Sequence, residues 1–127
     1  VGSIEFAAEV FGTRLVIVMG HTRCGAVGAT ISHLSRPSND LSPNVREIVD
    51  RIEASAAKAG AKPGGPTSPD EAEFTPLVNA AIAENARTVA SRLEESEVLA
   101  KLAETEGLRI MSAVYVMETG TVDFLTG

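Results

Sequence analysis

Residues 14 to 20 read Arg-Leu-Val-Ile-Val-Met-Gly, and no other stretch limits the fold as tightly. The run is short, rich in β-branched residues and apolar throughout rather than alternating, so it predicts a parallel strand covered on both faces. Directly after it, "CGAVGATISHL" predicts a helix with small residues in its first turns. A buried strand delivered into a helix is the basic unit of an α/β layered fold.

The other segments agree with that class. Ile4, Ala7, Ala8 and Phe11 recur at helical spacing, with Ser3 placed as an N-cap and Gly12 as the stop. "SRPSNDLSP" predicts a loop, and Val45, Ile48, Val49, Ile52 and Ala56 form the stripe of a following helix. Leu77, Val78, Ala81, Ile82, Ala86, Val89 and Leu93 stripe a long helix, and Glu97 to Glu104 predicts a shorter one ended by Gly107. "LRIMSAVYVMETGTVDFLTG" predicts strand, Thr-Gly turn, strand. The expected fold is α/β: a short, mainly parallel sheet flanked by helices and closed by a C-terminal antiparallel hairpin. Residues 1–127 form a single domain, with a flexible Pro- and Gly-rich insert around 58–74.

Charge and cysteine content narrow the function classes. The net charge of -6 argues against nucleic acid or an anionic membrane as a partner, since phosphate recognition needs clustered Lys and Arg. No apolar run is long enough to span a bilayer, and no basic segment leads into an apolar one as in a secretory signal. One cysteine cannot pair within the chain, which fits a reducing compartment. A soluble cytoplasmic protein is expected. The chain opens at Val1 within two residues of a predicted helix, and its few strands are a small sheet for so many helices. Both features lead to the expectation of a piece of a larger domain.

At the carboxyl end of a parallel strand, where α/β proteins place their ligands, stand His21 and Cys24. A helix N-terminus favours the thiolate, the form of cysteine that binds metal, and imidazole with thiolate is a zinc preference. Gly25 and Ala26 leave space beside them. Spacing alone leaves three alternatives open: a metal half-site, a nucleophilic Cys-His pair, or a buried cysteine beside a hydrogen-bonded histidine. His33 is expected in solvent, Tyr115 in the core with its hydroxyl satisfied, and Met19, Met111 and Met117 in packing roles.

The stretch "GSIEFAAEVFGTRLVIVMGHTRCGAVGATI" closely resembles the central segment of bacterial β-class carbonic anhydrases. "NVREIVDRI", "AIAENARTVASRL" with Asn85, and "SEVLAKLAETEGLRIMSAVYVMETGTVDF" are similar to later segments of that family. The resemblance implies zinc held by two cysteines and one histidine, with His21 and Cys24 matching the second and third protein ligands in chain order. The family's first cysteine belongs to a Cys-x-Asp-x-Arg motif that this sequence does not contain. By resemblance Phe6 lines the apolar part of the substrate pocket and Gly25 lets substrate approach the metal; no catalytic residue beyond the metal ligands is implied. The implied activity is reversible hydration of carbon dioxide to bicarbonate through a zinc-bound hydroxide, in a homodimer or higher homo-oligomer. Two alternatives stand beside it: a catalytically inactive scaffold or regulatory protein with an incomplete zinc site, and a small thiol protein acting through Cys24.

Overall fold

A computed structural model describes residues 1–126 of the chain. Its elements run α1 (Gly2–Val10), β1 (Leu15–His21), α2 (Gly25–Ser35), α3 (Pro43–Ala59), α4 (Phe74–Glu94), α5 (Glu97–Glu106), β2 (Arg109–Val116) and β3 (Thr121–Phe124). The strands lie in the order β1-β2-β3. β1 pairs in parallel with β2, from Leu15 beside Arg109 to His21 beside Tyr115. β2 then turns back onto β3, with Val116 opposite Thr121. The expected α/β class, the parallel pair and the closing hairpin are all present, in one small mixed sheet.

The helices gather on one side of that sheet. α4 lies against β1 and β2, and α2 and α3 pack outside it. Val27 and Ile31 of α2 and Ile52 and Ala56 of α3 meet Phe74, Val78, Ala81 and Ile82 of α4 in the main core. A second cluster, Ala8, Leu93, Leu99 and Leu108, ties α1 and α5 to the start of β2, with Val16, Val18 and Ile110 of the sheet against it. Two serines start helices by accepting an otherwise unpaired N–H: Ser42 from Val45 and Ser96 from Leu99, both at 3.3 Å. Ser96 also donates to Glu5 at 2.6 Å, fixing α1 against α5. Gly107, in the left-handed region at φ 72°, ends α5 as its sequence position predicts.

Several sequence expectations are corrected. β1 is covered on one face, not two. Leu15, Ile17 and Met19 are 51%, 38% and 48% exposed, while Val16 and Val18 between them face the helices. Tyr115, Val122 and Phe124 extend the open face across β2 and β3, so Tyr115 is not a core residue, and Met117 beyond it is exposed as well. A continuous apolar run reports affinity for nonpolar surroundings, and among the described residues nothing lies over that face. Phe6 and Phe11 are exposed on and just after α1 rather than buried. Val45 and Ile48 of the α3 stripe are exposed too; Val49, Ile52 and Ala56 carry its packing. Ser3 does not cap α1, because the Val1 carbonyl already accepts from Ile4 and Glu5 and places Ser3 inside the first turn. His33 is buried, with its Nδ1 accepting from the Ser38 N–H at 3.3 Å.

The Pro- and Gly-rich segment between α3 and α4 has no regular structure but is bound to α2. The Gly64 N–H donates to the Ser35 carbonyl, and the Ser35 and Ser32 hydroxyls donate to the Pro66 and Thr67 carbonyls at 2.8 and 2.7 Å. This segment delivers Phe74 into the core beside the start of α2. Leu99 is fully buried at the meeting point of α1, α4 and α5. Replacing it with Ala is expected to cost about 2–5 kcal/mol in urea unfolding. A loss under about 1 kcal/mol would mean that this junction does not hold α1 in place.

Candidate metal centre

The end of β1 is set by contact with α4. A Cβ built on Gly20 would lie 2.8 Å from the Ile82 Cγ2 and 3.5 Å from the Ile82 carbonyl oxygen. The neighbour is a stiff β-branched side chain on a buried helix, so any residue larger than glycine forces the strand away. The next residue, His21, ends the strand beside Tyr115. After a two-residue turn, Cys24 stands at the N-cap of α2.

His21 Nδ1 lies 2.8 Å from the Thr22 carbonyl oxygen. A carbonyl only accepts, so Nδ1 carries the hydrogen, and in the neutral ring Nε2 is the nitrogen with the lone pair. This is the arrangement in which a backbone partner orients a metal-binding imidazole. Cys24 is half-buried, forms no disulfide and makes no side-chain capping hydrogen bond, leaving its sulfur free at the positive end of the α2 dipole. His21 and Cys24 both line a cavity of about 280 Å³ with Gly20, Val27, Ile82 and Asn85. On its other side Cys24 joins Gly25, Gly28, Phe74 and Val78 around a larger cavity of about 790 Å³. A methyl group on Gly25 would meet no atom within 4 Å, so the space expected beside the cysteine exists. Phe6 lines neither cavity; its ring stacks edge-to-face on Phe11 at 5.6 Å.

The turn between the two candidate ligands is strained and held. Arg23 has φ 57°, the one positive value among the described non-glycine residues. A left-handed conformation costs an ordinary residue about 1–2 kcal/mol. The Thr22 N–H donates to the Tyr115 carbonyl at 3.0 Å, and the Thr22 hydroxyl accepts from the Met117 N–H at 3.0 Å. The same hydroxyl donates to Glu118 Oε2 at 2.9 Å, while Arg23 Nε meets Glu118 Oε1 at 2.9 Å. Hydrogen bonds from its own backbone N–H and then from the Thr22 hydroxyl hold the Glu118 carboxyl below the ordinary value of 4.5, with Arg23 adding to the effect. Sequence reasoning missed Glu118 and Thr22. Thr22 lies between His21 and Cys24 but carries no role in that motif, Glu118 lies outside it, and only the parallel register brings residues 96 positions apart into contact.

An imidazole with a free Nε2 and a free thiol on one cavity fit zinc as two of its donors. Among the described residues no group of three or more His, Cys, Asp or Glu side chains is close enough to hold a metal ion. The third donor expected for such a site is therefore not in this set.

The chain is an α/β protein that presents histidine and cysteine at a strand-to-helix turn, and the comparisons make the class specific. A carbonic anhydrase family model matches residues 1–122. The chain belongs to the carbonic anhydrase family. A carbonic anhydrase of Pseudomonas aeruginosa is 28% identical over 125 residues, covering 98% of this chain and 52% of that protein. One from Mycolicibacterium smegmatis is 47% identical over 51 residues, 40% of this chain and 24% of its own length. Among solved structures, a tetrameric β-carbonic anhydrase of Sordaria macrospora superposes with a TM-score of 0.78 at 12% identity, covering 99% of this chain and 59% of that one. The Coccomyxa β-carbonic anhydrase gives 0.71 at 17% identity, covering 98% and 52%. The fold is that of the β-class, and the chain spans between 24% and 59% of the length of these relatives.

Two predictions follow from the geometry. Gly20→Ala is expected to lower stability by about 1–3 kcal/mol through overpacking against Ile82, read by denaturant unfolding. An unchanged midpoint would show that β1 does not need the close approach. For Glu118 the folded carboxyl titrates below its unfolded value, so its contribution is fully present above pH 4.5 and is lost as pH falls through the folded value. An NMR titration of the side-chain carboxyl should therefore give a midpoint below 4.5. A midpoint at or above that value would contradict the hydrogen-bonded arrangement.

Proposed function

We propose that this chain supplies two protein donors, His21 Nε2 and Cys24 Sγ, to the zinc site of a carbonic anhydrase that reversibly hydrates carbon dioxide to bicarbonate. The observation that carries this is the pairing of a carbonyl-locked imidazole with a free thiol on one cavity, in a chain matched by the carbonic anhydrase model over residues 1–122. Zinc, when bound, supplies a water acidic enough to act as a nucleophile near neutral pH. The chain's own residues do the rest. Thr22 holds the His21 ring in its ligating tautomer through its carbonyl. Gly25 keeps open the space beside Cys24 that a small linear substrate requires. A four-coordinate site with one exchangeable position needs a further protein donor beyond these two.

Self-association belongs to the same proposal. Leu15, Ile17, Met19, Tyr115, Val122 and Phe124 leave an apolar sheet face open, and contiguous apolar surface of this kind marks contact sites. The Sordaria structures are described as tetrameric. Phe6, outside both cavities of its own chain, would reach a pocket only in another copy, and we assign its substrate-lining role on that condition. The single cysteine supports a reducing, cytoplasmic setting.

A second reading is favoured by the two-donor count: a carbonic anhydrase scaffold that binds partners without catalysis. Elemental analysis and stopped-flow carbon dioxide hydration separate the two. The catalytic proposal expects about one zinc per chain, lost together with hydration in Cys24→Ala. Absence of both zinc and hydration in the unmodified chain favours the scaffold.

A further inference from the structure

We propose that Glu118 is a positioning residue for the metal donors, a clamp that forces the Thr22-Arg23 turn into the shape that sets His21 and Cys24. The proposal takes its meaning from the assignment of those two residues as ligands. Its test depends on neither metal nor turnover.

Glu118 is built to act on this turn. It sits in the tight turn of the β2–β3 hairpin, where the Gly120 N–H returns to the Val116 carbonyl at 2.8 Å and Gly120 takes φ 72°. The carboxylate divides its two oxygens between the two residues that separate the ligands: Oε2 accepts from the Thr22 hydroxyl and Oε1 from Arg23 Nε. The Thr22 hydroxyl spends its one donor on this contact and also accepts from the Met117 N–H. The side chains of Arg23 and Glu118 are 75% and 42% exposed, so the ion pair adds little to global stability. Its effect is local. It holds an arginine in a conformation that arginine avoids, at the one turn where a change in backbone angle swings both ligands.

The clamp can be tested on the full chain by nitrogen-15 NMR in EDTA, well above the titration range of histidine. In Glu118→Ala the protection of the Thr22 amide, which donates to the Tyr115 carbonyl, should fall by about fivefold or more. The His21 ring nitrogens should shift from a single Nδ1–H tautomer toward a mixture, because the Thr22 carbonyl no longer holds the ring. The Arg109 amide, which donates to the Arg14 carbonyl at the far end of the parallel pair, and the melting midpoint should stay as they are. Adding Arg23→Gly, which removes the left-handed penalty, should restore both signals without the carboxylate. Unchanged Thr22 protection in Glu118→Ala would overturn the proposal. So would a uniform loss of protection with a lower midpoint, which marks a merely structural role, or a double variant no better than Glu118→Ala. Each of those results leaves the carbonic anhydrase reading standing; zinc content and hydration decide that question separately.

Discussion

The parallel pairing of β1 with β2 is the constraint on which the rest of this molecule depends. It joins strands separated in sequence by four helices and seats His21 beside Tyr115. From that register follow the Thr22 N–H to the Tyr115 carbonyl, the approach of the hairpin turn, and the reach of Glu118 to both Thr22 and Arg23. Gly20 completes the arrangement from the other side. Because it has no Cβ, β1 can lie against Ile82, and the chain leaves the strand at the point where α2 can begin with Cys24.

The fold and the chemistry are thus one arrangement. A strand pinned to α4 and a hairpin turn pinned by its own glycine leave a two-residue bridge between the two candidate ligands. That bridge holds the one positive φ among the described non-glycine residues, Arg23 at 57°. Strain at such a place is consistent with function, since the surrounding contacts and not the local preference determine the shape. The open sheet face has the same character at larger scale. Apolar residues of the sheet stand exposed there, with no cover among the described residues.

Much of this was legible in the sequence because it is local. The Val-Ile-Val run, the stripe of α4, the Gly107 stop and the Thr-Gly turn each declare an element through patterns of a few residues. The His21 and Cys24 pair was visible for the same reason, being a short motif after a strand. What was not legible is what depends on three-dimensional neighbours. Periodicity marks Leu15, Ile17, Met19 and Tyr115 as apolar but does not say whether anything covers them. Ser3 has the chemistry of a cap, yet the turn had already closed on Val1. His33 beside a polar loop resembles a solvated residue until the loop folds back and Ser38 donates to it. Glu118 resembles an ordinary turn glutamate until the parallel register carries it to Arg23.

The central claim is that His21 and Cys24 bind one zinc ion together. X-ray absorption at the zinc edge of the zinc-loaded chain measures this most directly. The account predicts a sulfur shell near 2.3 Å together with an imidazole nitrogen shell at about 2.0–2.1 Å, both reduced in Cys24→Ala. A first shell of oxygen or nitrogen alone, with no sulfur, would contradict it and leave the turn after β1 as architecture without a metal.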